Sequence, residues 1–153
     1  MSSSRVRIAG WIVLAGVFAA TCDITYALVF SGWKGVPAQR LLQSVASGLL
    51  GQDAFRGGLS TAALGLALHY AIVMVATVLF WAAGRRWPWL REEPVTTGLL
   101  YGLAIYAFMN FVVLPLSAYP FPINFPLLRT ATGLLVHMIG VGLPISLITR
   151  RAT

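Results

Sequence analysis

The run Ile8-Ala-Gly-Trp-Ile-Val-Leu-Ala-Gly-Val-Phe-Ala-Ala-Thr-Cys-Asp-Ile-Thr-Tyr-Ala-Leu-Val-Phe30 decides the fold. At about 1.5 Å per helical residue it is long enough to cross roughly 30 Å of hydrocarbon, and Asp23 is its one charged residue. Three more apolar runs follow, at 59–83, 97–117 and 130–149. Membrane strands alternate in short segments and must close into a barrel, whereas these runs are continuous, rich in Leu, Ala and Gly, and too few to close one. The expectation is an all-α integral membrane protein, with short connections that favour an up-down-up-down four-helix transmembrane bundle.

Composition agrees. Of 153 residues 58% are hydrophobic and 10% charged, against about 25% charged in an ordinary soluble domain. One cysteine, Cys22, excludes a disulfide framework or a paired-thiol redox motif. The start of the chain imitates a secretory signal, with Arg5 and Arg7 ahead of an apolar run and Ala19-Ala-Thr-Cys22 in the place of a cleavage site. The run continues unbroken to Phe30, so it is read as an uncleaved span.

Orientation follows from the basic residues. Arg5, Arg7, Arg85, Arg86, Arg91, Arg150 and Arg151 fall on one side, and Lys34, Arg40, Arg56 and Arg129 on the other. Both termini are therefore expected in the cytoplasm. The net charge of +7 is largely this topological signal, and it points to anionic lipid headgroups and away from nucleic acid. Trp11, Trp33, Trp81, Trp87 and Trp89 lie near span ends, where indole rings favour the interface.

Two outer connections carry structure of their own. Residues 37–50 place Leu41, Leu42, Val45, Leu49 and Leu50 on one helical face and Arg40, Gln43, Ser44 and Ser47 mostly opposite, which predicts a short amphipathic helix in the interface. It serves either as a lid over a cavity or, the favoured reading, as a packing strap. Ser117-Ala-Tyr-Pro-Phe-Pro-Ile-Asn-Phe-Pro126 reads as a stiff, extended crossover.

Ala63-Leu-Gly-Leu-Ala-Leu-His69 and Ala131-Thr-Gly-Leu-Leu-Val-His137 share Ala, Gly, Leu and His at matching positions. Each histidine is ten residues past Leu59 or Leu127, hence about 15 Å deep. Asp23 and Asn110 each precede the outer end of their run by seven residues. These matches allow two helical hairpins in parallel repeat, with the second and fourth spans opposed across an axis; chance matching in apolar helices is the competing explanation.

The candidate site is Asp23, His69, Asn110 and His137. An ionised carboxylate in a span costs roughly 2.5–3.5 kcal/mol, so Asp23 is neutral, paired or facing water. The functional reading makes it a proton or cation acceptor, with the histidines as relays or ligands and Asn110 as an orienting donor. The structural reading makes all four hydrogen-bonding residues between helices. The pair of Gly-x3-His segments also superficially resembles the bis-histidine sites of membrane b-type cytochromes, which would make His69 and His137 axial ligands to haem. Pro115 and Pro144 free the carbonyls of Phe111 and Gly140 and predict kinks; Tyr101 and Tyr106 are assigned to packing. No metal-ligand cluster, Gly-rich phosphate loop, nucleophile elbow or His-Glu-x-x-His sequence occurs, so no catalytic residue is assigned and the chain is not read as an enzyme.

Leu42-Gln-Ser-Val-Ala-Ser-Gly-Leu-Leu-Gly51, Leu64-Gly-Leu-Ala-Leu-His69 and Met109-Asn-Phe-Val-Val-Leu-Pro-Leu-Ser117 together resemble a family of small uncharacterised bacterial four-span inner-membrane proteins. The resemblance covers most of the chain; it implies the fold and an inner-membrane location and carries no activity. Small multidrug exporters are also four-span but shorter, with a Glu where this chain has Asp23, and serve as analogy alone. The functions left are a proton-, cation- or small-ligand-binding or translocating module, an accessory subunit of a larger membrane complex, and a haem carrier. A homodimer would give the first of these the enclosed volume that one small bundle lacks.

Overall fold

The computed structural model describes residues 2–152, and among these the chain is helical with no strands. Its elements are α1 (Ser2–Trp33), α2 (Ala38–Leu50), a 3-10 turn (Gly51–Phe55), α3 (Gly58–Arg86), a single helical turn (Trp89–Glu92), α4 (Pro94–Leu116) and α5 (Leu127–Thr149). α1, α3, α4 and α5 are each long and apolar enough to cross a bilayer. They coincide with the four expected spans, extended at most ends by up to two turns where Arg and Ser residues continue the helix beyond the apolar run.

Small residues fill much of the interior, beside a core of Val73, Phe80, Val141 and Ile145, and many large side chains face outward. Ala15, Ala19 and Ala20 are fully buried on α1, and Ala46 on α2, whereas Val29, Leu79, Phe111 and Leu135 are exposed. In lipid the hydrophobic effect does not drive helices together, so association relies on close backbone approach and interhelical hydrogen bonds. Glycines provide the approach. A side chain at Gly102 would collide with the His137 carbonyl, and one at Gly142 with the backbone of Gly98 and Gly102, which sets α4 directly against α5. Gly65 does the same for α3, whose backbone meets the Leu42 carbonyl of α2.

These contacts arrange the spans as a curved row, α4–α5–α1–α3. α3 and α4 follow each other in sequence yet scarcely pack; the Tyr101 hydroxyl donates to the Ala76 carbonyl at 2.7 Å and the Phe80 and Tyr101 rings sit 4.7 Å apart. The second and fourth spans touch directly, as the parallel-repeat reading supposes, but the pairs that the repeat would make equivalent differ: α1 packs on α5, whereas α4 scarcely meets α3.

Two helices are locally widened. Met109–Val113 in α4 and His137–Gly142 in α5 are π-helical, with the Leu114 N–H donating to the Met109 carbonyl and the Leu143 N–H to that of Met138. Each segment runs up to a proline, Pro115 or Pro144, so the wider turn accommodates the missing N–H and the ring. The expected kinks thus take the form of π segments. α3 has neither proline nor π segment, a further difference between the helices matched as repeats.

α2 is formed as expected, with Gln43 of its polar face on protein. Gln43, Ala46 and Ser47 are buried against α3, while Leu49 and Leu50 are exposed. Gln43 Nε2 donates to the Gly58 carbonyl at 2.9 Å, and Gly65 admits the α2 backbone. Gln43 meets protein because its hydrogen-bond partners are there, whereas the Ser44 and Ser47 hydroxyls donate to carbonyls of α2 itself. The helix ends at Gly51, whose φ of +59° a side chain would disfavour. The crossover 117–126 is irregular and extended, and the Ala118 N–H ties it to the Gly48 carbonyl at 2.9 Å.

Candidate functional site

Asp23 continues the small-residue stripe of α1, one turn beyond Ala19 and Ala20, so the helix that packs through its alanines necessarily carries the carboxylate inward. α3 and α5 flank α1, and each directs a histidine to it. His137 Nδ1 is 3.6 Å from Asp23 Oδ1 and His69 Nδ1 is 4.0 Å from Oδ2. The three side chains are largely buried, at 17% exposure for Asp23, 11% for His69 and 18% for His137. The matched depth read from the sequence has a physical counterpart: both rings meet one carboxylate.

The outer hydrogen bonds of the rings define their protons. His69 Nε2 lies 2.9 Å from the Ala20 carbonyl, which only accepts, so Nε2 carries the hydrogen. In a neutral ring Nδ1 is then a lone pair aimed at the carboxylate. His137 differs: its Nδ1 lies 2.9 Å from the Gly133 carbonyl on its own helix, so Nδ1 is the donor and Asp23 Oδ1 lies on the same side of the ring. At His137 a ring N–H and a carboxylate oxygen thus lie side by side, whereas at His69 a lone pair and a carboxylate oxygen face each other across 4.0 Å with no hydrogen bond between them. Between Oδ2 and His69 Nδ1 there is a place for one additional proton or hydrogen-bond donor.

Asn110 does not join this group. Its Nδ2 donates to the Tyr106 carbonyl on its own helix at 2.9 Å, and it reaches the site only as part of a cavity wall. Two neighbours absent from the expectation are closer. The Tyr106 ring packs edge-on to His137 with centroids 5.2 Å apart and fills the notch at Gly133. The Tyr26 hydroxyl bonds to Thr132 at 2.6 Å, fixing α1 to α5 one turn from Asp23. On the α3 side the Thr21 and Tyr70 hydroxyls meet at 2.9 Å. The spacing of Tyr106 four residues before Asn110, and of Gly133 four before His137, was the available signal; a Tyr opposite a helical Gly is a ring over a notch.

The site opens on two chambers. An inner one of about 360 Å³ is lined by Asp23, both histidines and Val73; an outer one of about 430 Å³ runs past Tyr26 and Asn110 to Lys34, at the end of the bundle that carries α2. Asp23, His137, Ser44, Tyr119 and Arg129 line both. α2 contributes Ser44, Val45, Gly48 and Leu49 to the inner wall, so it is at once the packing strap of α3 and a wall of the cavity.

Bis-histidine haem ligation does not fit these residues. Both rings turn Nδ1 to a carboxylate placed between them, and His69 Nε2 is held by a carbonyl. The glycines that would clear room for a macrocycle are filled, Gly65 by the α2 backbone and Gly133 by the Tyr106 ring. Among the described residues no group of three or more His, Cys, Asp or Glu side chains is placed to hold a metal ion. No protein-family model, curated protein or solved structure matches the chain, so the function is argued from the site itself.

Proposed function

We propose that this protein is a small membrane module that binds, and exchanges across the bilayer, a proton or cation at Asp23. The observation that carries the reading is the opposition of two acceptors, Asp23 Oδ2 and His69 Nδ1 at 4.0 Å, inside membrane-spanning helices. One proton between them makes the group of Asp23, His69 and His137 electrically neutral, which is the state hydrocarbon favours. Loss of that proton leaves a carboxylate that a cation can occupy, so proton and cation compete for one place.

The other groups around Asp23 do not supply this charge. α4 presents Tyr106 and Asn110, α2 presents Ser44, the crossover presents Tyr119, and α1 itself presents Cys22 and Tyr26. Lys34 lines the outer chamber and Arg129 of α5 lines both; both are solvent-exposed, and neither makes an ion pair with Asp23. The basic bias of the other end supports cytoplasmic termini, and the family resemblance of 42–51, 64–69 and 109–117 supports a bacterial inner membrane. Anionic headgroups are the expected lipid contacts of that end.

The test is a pH gradient imposed on proteoliposomes with an entrapped pH dye. Wild-type protein should dissipate it faster than empty liposomes, and Asp23→Asn, which keeps the side-chain shape, should fall to the empty-liposome rate with an unchanged folded yield. Equal rates for the two proteins would sink the reading.

A second reading, docking to a larger membrane complex or a second copy, is favoured by one observation: only 6% of the most apolar stretch of α4 is buried. Purification in gentle detergent as a free monomer, with every membrane complex unchanged by deletion, would dismiss it.

A further inference from the structure

The gap between α3 and α4 is a groove of about 610 Å³, almost wholly apolar, on the open side of the row of helices. It is not a separate feature of the surface. Leu68, Ile72, Ala76, Ile105, Met109 and Val113 line both this groove and the inner chamber that holds Asp23 and His69. The groove and the inner chamber thus share their apolar walls, which brings the lipid side of the molecule next to the cavity of the carboxylate. The aqueous route is of a different kind: Lys34 stands on the outer chamber and Arg129 on both chambers, and their charges oppose the approach of a cation from water.

We infer that the ligand of Asp23 is a lipophilic cation, an apolar body bearing one positive charge, which enters from the bilayer between α3 and α4. This inference rests on the proposed exchange at Asp23 and adds the class of the ligand and its route. The pieces are complementary in charge and in polarity. A cation partitioned into the bilayer meets a groove of Leu, Ile, Val and Ala walls with the rings of Tyr101 and Phe108 along it, and rings of this kind attract cations through their faces. At the inner end it meets the carboxylate. Binding releases the proton held between Asp23 and His69, so the occupied site is neutral before and after: cation in, one proton out. Nothing else in the cavity walls offers a negative group to a cation, Asp23 being the one acid among their lining residues.

The probe is tetraphenylphosphonium, permanently charged and unable to donate a hydrogen bond, added to the full chain in nanodiscs, with binding read by equilibrium dialysis and proton release by a pH indicator. The expected result is saturable binding with about one proton released per cation and at least tenfold weaker affinity in Asp23→Asn. Ala104→Trp, placed on the exposed α4 wall of the groove and away from the inner chamber, should weaken binding by a similar factor. Ala71→Phe narrows the groove from α3 and gives the same result by a separate route. Affinity unaffected by Asp23→Asn, binding without proton release, or full affinity in both groove variants would overturn the inference. So would a disulfide formed between cysteines introduced at Ala71 and Ala104 of two different copies, which would mean that a second chain fills the groove. The two ideas fail separately: proteoliposomes that dissipate the gradient through Asp23 while the chain ignores tetraphenylphosphonium leave the exchange reading standing and end this one.

Discussion

α4 has two neighbours and treats them oppositely. Against α5 it presents Gly98 and Gly102, which meet Gly142 and the His137 carbonyl backbone to backbone; against α3 it offers no glycine contact and leaves an apolar groove bridged by Tyr101. Both surfaces are hydrophobic by composition, so hydrophobicity does not distinguish them. The difference is the size of the residue at the crossing, which decides whether van der Waals contact and backbone approach can replace lipid. The closed seam fixes His137 beside Asp23, and the open one gives the site its lateral access.

The contrast can be broken most severely at Gly102. Gly102→Val places a branched side chain into the His137 carbonyl, and overpacking of that kind costs about 3 kcal/mol. The folded fraction in detergent, followed by thermal unfolding, should fall sharply. The same change at Gly10, which has nothing within 4 Å of an added Cβ, should stay within about 0.5 kcal/mol of wild type. Equal tolerance at the two positions would mean that the seam is not held by close approach.

A smaller effect sharpens the open side. Tyr101→Phe removes the hydrogen bond to the Ala76 carbonyl, and membrane hydrogen bonds of this kind average about 0.6 kcal/mol. Its consequence is better read as mobility: hydrogen exchange of amides in α3 and α4 near the groove should rise while the α4–α5 seam stays protected. A matching rise at Gly98 and Gly142 would show that the two sides of α4 are one cooperative contact and not two.

Much of this was legible in the residues themselves. Length and apolarity specify the four spans, proline and alternating polarity specify α2, and the shared depth of His69 and His137 anticipates that the rings meet at one level. Neighbour order was not legible. In lipid an outward Leu and an inward Leu look alike, and only the glycine and alanine positions separate them; the shared Ala-Gly-Leu-His pattern suggested a symmetry that the packing does not keep, since α1 packs on α5 while α4 scarcely meets α3. The protein partner of α2's polar face was not legible for a related reason. Gln43 looks solvent-bound in a helical projection, but the Gly58 carbonyl offers it a protein partner, and the notch at Gly65 admits the α2 backbone, neither of which a local pattern displays. Asn110 had a partner four residues back on its own helix, so its polarity was satisfied without the cluster.

The two histidines carry the central claim, because they flank one carboxylate with different hydrogen-bond arrangements. Nitrogen-15 resonances of the imidazole rings, recorded on the protein in nanodiscs for the wild type and for Asp23→Ala, report on each ring nitrogen. The account predicts that His69 Nδ1 in the wild type carries or shares a second ring proton, that His137 is a neutral ring protonated on Nδ1, and that Asp23→Ala returns His69 Nδ1 to a bare nitrogen while leaving His137 as it was. A bare, unprotonated His69 Nδ1 in the wild type, unchanged by removal of Asp23, would contradict it.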